Sequence, residues 1–361
     1  MLWTGLSPDE ARKYLEEKDK SKRDKRMTLA EAVQTFVKDG DNIGVGGFVN
    51  SRQPVAIAHE IIRQGRKDLI LSFQSAGLVP DYLLGAMALK PDHVSVQRME
   101  FAYNGHEYAG TSSMLRYMTE NEKIFIEDWT NFSMSARFKA GAMGIPFMPI
   151  RSGQGGDIEK CNRSQVIQCP FSHRDILLIP ACHPDVGILH VQEADIYGNC
   201  RIKGQTFTCP EIAMASKNVI VTCEKLVDHE IIAMNPTQTS IPFFTVDAVI
   251  ELPFGSYPTV CHDVHYYDKI HLEHFKSLTD DFRKGKREGL EDYYDTNIFE
   301  VADTDEFISK IPYTQLKYAR QTESRNMELQ THLTPPTHDQ YIRQLNFALN
   351  LKKLTAFQEI L

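Results

Sequence analysis

With 361 residues, 42% of them hydrophobic, the chain is long enough to bury a large core in one domain or two. Its 48 acidic and 40 basic side chains give a formal net charge of -8, which argues against a nucleic acid as partner, because a phosphate backbone requires a basic face. No apolar run reaches the roughly 18 residues of a membrane span, and the N-terminus places its charges after a very short apolar start, the reverse of a signal peptide. We therefore predict a cytoplasmic protein that binds neither nucleic acid nor membrane.

Two capping boxes predict the first two helices. The letters SPDE from Ser7 and TLAE from Thr28 each place a hydroxyl residue three positions before a glutamate, the pattern in which side chains and backbone amides cap each other. The first helix carries charges on all sides and should end near residue 20. We predict that residues 1–26 form a helical arm on the surface of the protein.

Residues 27–320 alternate between strand and helix patterns and are predicted to form one domain. Short apolar strands at 42–48 and 68–73 flank a helix at 53–64, which Gly65 ends. Further strands are predicted at 93–98, 123–127, 176–180, 185–192, 217–223 and 246–252, and further helices at 111–121, 130–143 and 210–216. This βαβ rhythm predicts an α/β fold, an open and mostly parallel sheet with helices on both faces.

The remaining residues, 321–361, are predicted to be a linker and a C-terminal helix. The segment 323–339 is polar and contains the pair Pro335-Pro336, and apolar residues return at helical spacing after residue 340. We expect this last helix to pack on the surface of a subunit.

The letters GVGGF, residues 44–48, stand where the first strand of the domain ends. Gly46 and Gly47 allow the backbone to approach another group closely or to adopt a positive φ, and open parallel sheets bind ligands at the carboxyl ends of their strands. The segment is either a ligand-binding loop or a tight turn against the next helix. Arg52 follows, and its guanidinium either holds a carboxylate or phosphate or lies solvated on the surface.

Two further strand ends carry polar side chains. FQSAG, residues 73–77, offers Gln74 and Ser75, either as the lining of a ligand pocket or as an ordinary turn into a helix. MEFAYNGHEY, residues 99–108, holds the densest group of acids and bases at a predicted strand end. Glu107 is therefore a candidate nucleophile or base within this chain.

Several motifs, in this order along the chain, resemble one family. LHVQEADIYGN (189–199), VTCE (221–224) and IPFFTVDAVIELPFGSYPT (241–259), together with GVGGF, resemble the A (alpha) subunits of family I coenzyme A transferases, above all the glutaconate type. The resemblance implies the CoA-transferase (NagB/RpiA-like) fold, with coenzyme A as a substrate and no permanently bound cofactor. It also implies that the loop with Gly46 and Gly47 borders the acyl-CoA site, which favours substrate-binding roles for these glycines and for Arg52 after them. Gln74 and Ser75 are substrate-binding candidates from their position at a strand end.

The resemblance further implies a division of labour between chains. In glutaconate-type enzymes the acyl-CoA thioester is attacked by a glutamate of the B (beta) subunit, so the expected partner is a CoA-transferase B subunit, in a heterotetramer or larger assembly. A related steroid-ring CoA-thioester hydrolase uses a glutamate of its own A chain, and alignment by eye places Asn131 at that position. Asparagine cannot attack, but a gap error of three or four residues would bring Glu127 or Asp128 there, and Glu127 is therefore a second candidate beside Glu107.

PFMPIRSGQGG, residues 146–156, matches the hydrolase-like pattern better than the glutaconate pattern, in which the arginine is absent. If this loop faces the cleft, Arg151 is the best candidate for holding a distal carboxylate of the substrate, because a guanidinium group matches the geometry of a carboxylate. The alternative is an ion pair at the interface between subunits.

No metal site and no complete disulfide framework are predicted. The seven cysteines are an odd number without CxxC spacing, which is typical of reduced thiols. Cys261, His262 and His265 are metal-ligand types, but their spacing fits neither a zinc ribbon nor HExxH. Glu224 is interpreted as a structural residue that accepts hydrogen bonds from backbone amides at a helix start.

Three functions remain open. The first is the A chain of a heteromeric CoA-transferase that acts on acyl-CoA and carboxylate substrates, with a dicarboxylic acyl group suggested by Arg151. The second is a CoA-thioester hydrolase that opens a cyclic or dicarboxylic acyl-CoA. The third is a non-catalytic interaction protein, against which the glycine loops at two strand ends argue. We predict the first.

Overall fold

The computed structural model describes residues 3–106 and 110–331, with side chains as far as residue 324. The helices are α1 (Pro8–Glu17), α2 (Leu29–Phe36), α3 (Val55–Arg63), α4 (Leu78–Leu89), α5 (Ser113–Glu120), α6 (Asn131–Ala142), α7 (Cys209–Ala215), α8 (His229–Ala233), α9 (Lys269–Arg283), α10 (Glu288–Tyr294), α11 (Thr304–Lys310) and α12 (Tyr313–Thr331). The strands are β1 (Asn42–Val45), β2 (Leu69–Ala76), β3 (Val96–His106), β4 (Gly110–Thr111), β5 (Phe125–Asp128), β6 (Phe147–Ile150), β7 (Gln165–Gln168), β8 (Asp175–Pro180), β9 (Val186–Ala194), β10 (Cys200–Arg201), β11 (Asn218–Leu226) and β12 (Ala248–Glu251).

The main sheet is mostly parallel, as predicted. Seven parallel strands lie in the order β12-β11-β9-β1-β2-β3-β5, and β4 and β10 add short antiparallel pairs. From β1 the chain runs outward through β2, β3 and β5, and then returns to β9 on the other side of β1. The strand order reverses beside β1, and open parallel sheets bind ligands at the carboxyl ends of the strands next to such a reversal.

Helices cover both faces of the main sheet. One cluster of buried apolar residues, which includes Phe73 and Tyr82, joins the strands to α2–α5, α9 and α10. The second cluster, with Met134 and Ile212, joins the other face to α6, α7 and a smaller sheet. Since β1 and β9 are covered on both faces, their residues are almost continuously buried, and the sequence shows apolar runs there in place of strict alternation.

The smaller sheet is antiparallel, has the order β6-β8-β7, and lies in the chain between α6 and β9.

The N-terminal arm packs on the body. Both predicted capping boxes are present, because Ser7 and Thr28 accept hydrogen bonds from the third helical amide and the glutamates return them. Lys18, just after α1, is buried and places Nζ 2.6 Å from Asp247 Oδ2, so this ion pair fixes the arm to the domain.

Two predicted boundaries differ most from the structure. β3 extends to His106, far beyond the predicted 93–98, although Asn104 and Gly105 near its end are poor strand formers. Helix α12 continues to Thr331, where the sequence predicts a linker from residue 323. The predicted C-terminal helix and Glu107 lie outside the described residues. Of the helices in the described ranges, none is long and apolar enough to span a bilayer.

Candidate active site at the carboxyl edge of the sheet

The glycine loop after β1 is packed too closely for any side chain. A Cβ atom on Gly47 would lie 2.5 Å from the Arg52 carbonyl oxygen, and Gly47 adopts a φ of +80°. A Cβ atom on Gly46 would overlap the side chain of Leu189 on β9. The loop then reverses in a tight turn, in which Phe48 and Ser51 exchange backbone hydrogen bonds of 2.9 and 2.7 Å. Glycine is therefore required here by the turn itself.

Both glycine amides already have partners inside the protein. The Gly46 N–H donates to the carbonyl of Ile188 at 3.0 Å, and the Gly47 N–H donates to Sγ of the buried Cys209 at 3.2 Å. Sulfur is a weak acceptor, so the Gly47 amide is the less firmly held of the two. The predicted role of this amide at a thioester requires that a substrate oxygen replace this sulfur as its partner.

Backbone strain is concentrated around this loop. Among the described residues, four with bulky or branched side chains and a positive φ lie in the loops that meet here: Val49 (45°), Arg52 (50°), Phe207 (51°) and Phe254 (61°). Such conformations cost about 1–3 kcal/mol each, persist only where surrounding contacts impose them, and cluster at functional sites. The rings of Phe48 and Phe207 stack with centroids 4.6 Å apart, so two of the loops also pack together.

Arg52 is directed into the protein. Its guanidinium is buried and donates to the carbonyls of Gln205 at 2.6 Å and His190 at 3.3 Å. These contacts join the glycine loop to β9 and to the segment before α7. The guanidinium therefore has a structural role in this conformation, and its predicted contact with a substrate remains a prediction.

Gln74 and Ser75 lie beside the glycine loop. The carbonyl of Ser75 accepts from the Val49 amide at 3.1 Å, and its hydroxyl donates to Asn131 Oδ1 at 2.6 Å. Gln74 Nε2 lies 3.5 Å from the carbonyl oxygen of Asn131. The end of β2, the glycine loop and the first residue of α6 thus meet at one place.

Several buried amide groups near these strand ends lack a hydrogen-bond partner among the described residues. Asn104, opposite Ala76 in the β2–β3 pairing, is 4% exposed, and neither its Oδ1 nor its Nδ2 is hydrogen-bonded. The same holds for both amide atoms of Gln53 and for Asn50 Oδ1. Their only signal in the sequence is a position after a predicted strand, which does not show that an amide lacks a partner.

Glu127, the second candidate nucleophile, belongs to a buried charge cluster. It shares Arg98 and Arg163 with Glu100 on the neighbouring strand, and Arg163 Nε lies 2.9 Å from Glu127 Oε1. Arg137 of α6 lies 2.7 Å from Glu100. Burial alone would raise the pKa of Glu100, but the guanidinium groups, Arg137 first, outweigh burial and lower that pKa to about 2. Both carboxylates are engaged in ion pairs, and neither is free to attack a thioester.

Arg151 lies apart from the glycine loop. It follows β6 and borders a shallow depression of about 270 Å³ whose other lining residues are Cys169, Ser172, Arg174, Asp175 and Ile176. No residue of the glycine loop lines that depression. The structure therefore does not bring Arg151 together with Gln74 and Ser75 within this chain.

Glu224 is the centre of a second buried network. Its Oε1 lies 3.0 Å from His190 Nε2 and 3.3 Å from His265 Nε2, and its Oε2 accepts from the Phe254 amide at 2.9 Å. Burial would raise the pKa of Glu224, but the contacts with the two histidines outweigh burial and lower it. The prediction of a structural glutamate fits these contacts, although the amide belongs to a loop and not to a helix start.

Ligand atoms of His190, Glu224 and Cys261 lie within 4.8 Å of one another, which is the residue set of a small cation site. The sequence could not indicate this group, because its members come from β9, β11 and the loop after β12. Both ring nitrogens of His190 and both oxygens of Glu224 already have protein partners. Hydrogen bonding therefore accounts for the arrangement.

Comparisons with known proteins identify the family. A model of the coenzyme A transferase family matches residues 26–252. An uncharacterized protein of Archaeoglobus fulgidus is 38% identical over 84% of this chain, and the match spans 66% of that protein. The A chain of glutaconate CoA-transferase from Acidaminococcus fermentans is 30% identical over 81% of this chain and 93% of its own length. The cholesterol ring-cleaving hydrolase IpdA subunit of Rhodococcus jostii is 25% identical over 71% and 87%.

The fold agrees with these relatives. The crystal structure of glutaconate CoA-transferase from Acidaminococcus fermentans matches this chain with a TM-score of 0.76 at 30% identity, over 82% of this chain and 95% of that one. The chain therefore belongs to the coenzyme A transferase family and is an enzyme subunit of the A (alpha) type.

Proposed function

We propose that this chain is the A (alpha) chain of a CoA-transferase that moves CoA from an acyl-CoA to a carboxylic acid, and that a partner B subunit supplies the nucleophilic glutamate. The proposal rests on the difference between the side chains at the strand ends and the two buried glutamates. The carboxyl edge of β1, β2 and β3 offers neutral hydrogen-bonding groups, whereas Glu100 and Glu127 are enclosed in ion pairs. The edge is suited to bind a thioester, and the two buried glutamates on the neighbouring strands are not free to attack it.

In the proposed reaction, the glutamate of the partner attacks the thioester carbonyl, the C–S bond breaks, and an acyl-glutamyl anhydride and the CoA thiolate form. The thiolate then attacks the glutamyl carbonyl of the anhydride, which releases the carboxylic acid and leaves a glutamyl-CoA thioester. The same two steps in reverse load the acceptor acid. This chain would orient the acyl group and donate hydrogen bonds to the developing oxyanion. Stabilisation of an oxyanion by fixed donors is usually the largest single contribution to the rate of such reactions.

Asn131 supports a transferase over a hydrolase. It begins α6, which is the position that alignment by eye gives for the nucleophile of a hydrolase, and its amide oxygen accepts from Ser75. An amide cannot form the anhydride.

A CoA-thioester hydrolase that opens a cyclic or dicarboxylic acyl-CoA is the second candidate, supported by the similarity to the IpdA subunit of the hydrolase. A non-catalytic role is disfavoured by the strained, closely packed loop at the strand ends.

The test is a comparison of the chain alone with the chain co-purified with its B subunit. We expect negligible CoA transfer from a panel of acyl-CoA donors to acetate with the chain alone, and activity on addition of the B subunit. Release of free CoA in water without acceptor would favour the hydrolase. Full activity of the isolated chain would refute the division of labour.

A further inference from the structure

We propose that Asn104 contacts the acyl group of the substrate, and that with Gln74 and Asn131 it forms a neutral subsite for an acyl chain that bears an oxygen atom. This inference rests on the proposed function and adds to it a residue that selects the substrate. Asn104 lies within the motif MEFAYNGHEY, but only Glu107 of that motif is a candidate from the sequence, and no contact within the described part of the protein explains Asn104.

Asn104 is buried without a hydrogen bond to any described residue. Its carboxamide has one acceptor and two donors, it is 4% exposed, and neither amide atom has a partner. A buried polar group without a partner destabilises a protein, and such groups in native proteins call for an explanation such as water or a ligand. By contrast, Asn42, equally deep in the sheet, donates to the Thr4 carbonyl and accepts from Ser72.

Asn104 also lies at the level of the polar strand ends. The β2–β3 register pairs Asn104 with Ala76, one residue beyond Ser75. The β3–β5 register pairs Phe101 with Asp128, so Asn104 and Asn131 each follow this pair by three residues. Asn131 contacts both Gln74 and Ser75. The two registers therefore place Asn104 at about the level of the polar residues that adjoin the glycine loop.

The polar side chains of the proposed subsite are uncharged. Two charged groups of neighbouring segments are engaged elsewhere, because Arg52 donates to two carbonyls and Glu100 is paired with arginines. The side chains of Gln74, Ser75, Asn104 and Asn131 are carboxamides and a hydroxyl. Carboxamides pair with carbonyl, hydroxyl or carboxylate oxygens, and they reject a hydrocarbon chain, which would leave them unpaired. The subsite therefore selects for an oxygen on the acyl chain without requiring an ion pair.

The experiment compares butyryl-CoA with 3-hydroxybutyryl-CoA, which differ by one hydroxyl, as donors for the chain in complex with its B subunit. The measured quantity is the ratio of kcat/KM for the two donors. We expect the wild-type complex to favour the hydroxylated donor. Asn104→Leu, which keeps a branched side chain but removes the amide, should lower this ratio by roughly tenfold or more, through the hydroxylated donor alone. Asn121→Leu, at an exposed position after α5, is the matched control and should leave the ratio unchanged.

A second variant separates recognition from folding. Asn104→Asp keeps the shape, and its carboxylate repels an incoming carboxylate but can still accept from a hydroxyl. Activity with succinyl-CoA should therefore fall further than activity with 3-hydroxybutyryl-CoA. If kcat/KM in a folded Asn104 variant falls equally for all donors, or does not fall, Asn104 does not select the substrate. The proposed transferase function would not be affected by this result. A wild-type complex that neither binds nor converts any of these donors would overturn the proposed function and this inference with it.

Discussion

Two regions of the molecule bury polar side chains on neighbouring strands: the carboxyl edge of β1–β3, and the glutamate–arginine cluster of Glu100 and Glu127. The two regions differ in whether the buried polar groups have partners. In the cluster, every carboxylate oxygen lies within ion-pair distance of a guanidinium. At the edge, both amide atoms of Gln53 and Asn104 and the Oδ1 of Asn50 have no partner in the part of the chain that the structure describes, and the backbone is strained. Satisfied groups stabilise the fold, whereas unsatisfied ones are available to a ligand.

Charged residues attract attention as catalysts when only the sequence is known. Yet Glu100 on β3 and Glu127 on β5 serve the fold, because each is held by arginines from other segments. We propose that the neutral residues at the strand ends bind the thioester instead. Substitutions in the cluster should therefore lower the stability of the protein, whereas substitutions at the edge should lower its activity.

The largest effect should come from the cluster. Glu100→Gln leaves Arg137 without its carboxylate and leaves Glu127 as the carboxylate that Arg98 and Arg163 share. Loss of one partner from a buried ion pair costs about 3–5 kcal/mol of the free energy of unfolding. The measurement is chemical denaturation. The exposed pair of Asp157 and Lys160 provides the control, since Asp157→Asn should change stability by less than about 0.5 kcal/mol. A loss below about 1 kcal/mol for Glu100→Gln would contradict a structural role for the cluster.

The same carboxylate predicts sensitivity to acid. The pKa of Glu100 is lowered from its ordinary 4.5 to about 2 in the folded protein, so its stabilising contribution is complete above its ordinary pKa and is lost as the pH falls toward the lowered one. We therefore expect the difference in stability between wild type and Glu100→Gln to shrink as the pH falls below 4.5. A difference that stays constant down to about pH 2 would show that ionisation of Glu100 is not the cause.

The next effect concerns the edge. Gly47→Val places a side chain against the Arg52 carbonyl and should lower turnover by roughly two orders of magnitude, because small displacements of a binding loop have effects of that size. Gly285→Val is the control: Gly285 also has a positive φ, but a Cβ atom there has nothing within 4 Å. Both variants adopt an unfavourable φ, and only the first should lose activity. Normal turnover by a folded Gly47→Val variant would show that the loop has only a structural role as a turn.

A smaller effect is expected at Arg151. If Arg151 holds a distal carboxylate in the assembled enzyme, Arg151→Lys should weaken the binding of a dicarboxylic acyl-CoA by about 1.5–3 kcal/mol and spare a plain acyl-CoA, since lysine keeps the charge but loses the paired donors. Arg174→Lys, in the same depression, is the control and should change neither substrate. Equal losses for both substrates would assign Arg151 to folding or to the interface.

Local signals predict local structure well in this chain. The capping boxes at Ser7 and Thr28 and the positive φ of Gly47 depend on neighbouring residues, so they are visible in the sequence. The inward turn of Arg52 and the pairing of Glu127 with Arg163 depend on contacts between distant segments, and no spacing encodes them. Asn104 escapes prediction for a different reason: nothing in a sequence distinguishes a satisfied carboxamide from an unsatisfied one.

The most direct test of the division of labour is to locate the covalent intermediate. The chain and its B subunit would be incubated with an acyl-CoA donor and denatured, and the mass of each would be measured by mass spectrometry, with the Gly47→Val complex as a control that should label poorly. We predict that the B subunit gains the mass of a glutamyl-CoA thioester and that this chain stays unmodified. Attachment of CoA to this chain, at Glu127 or any other glutamate, would contradict the central claim that the chain binds the thioester and its partner attacks it.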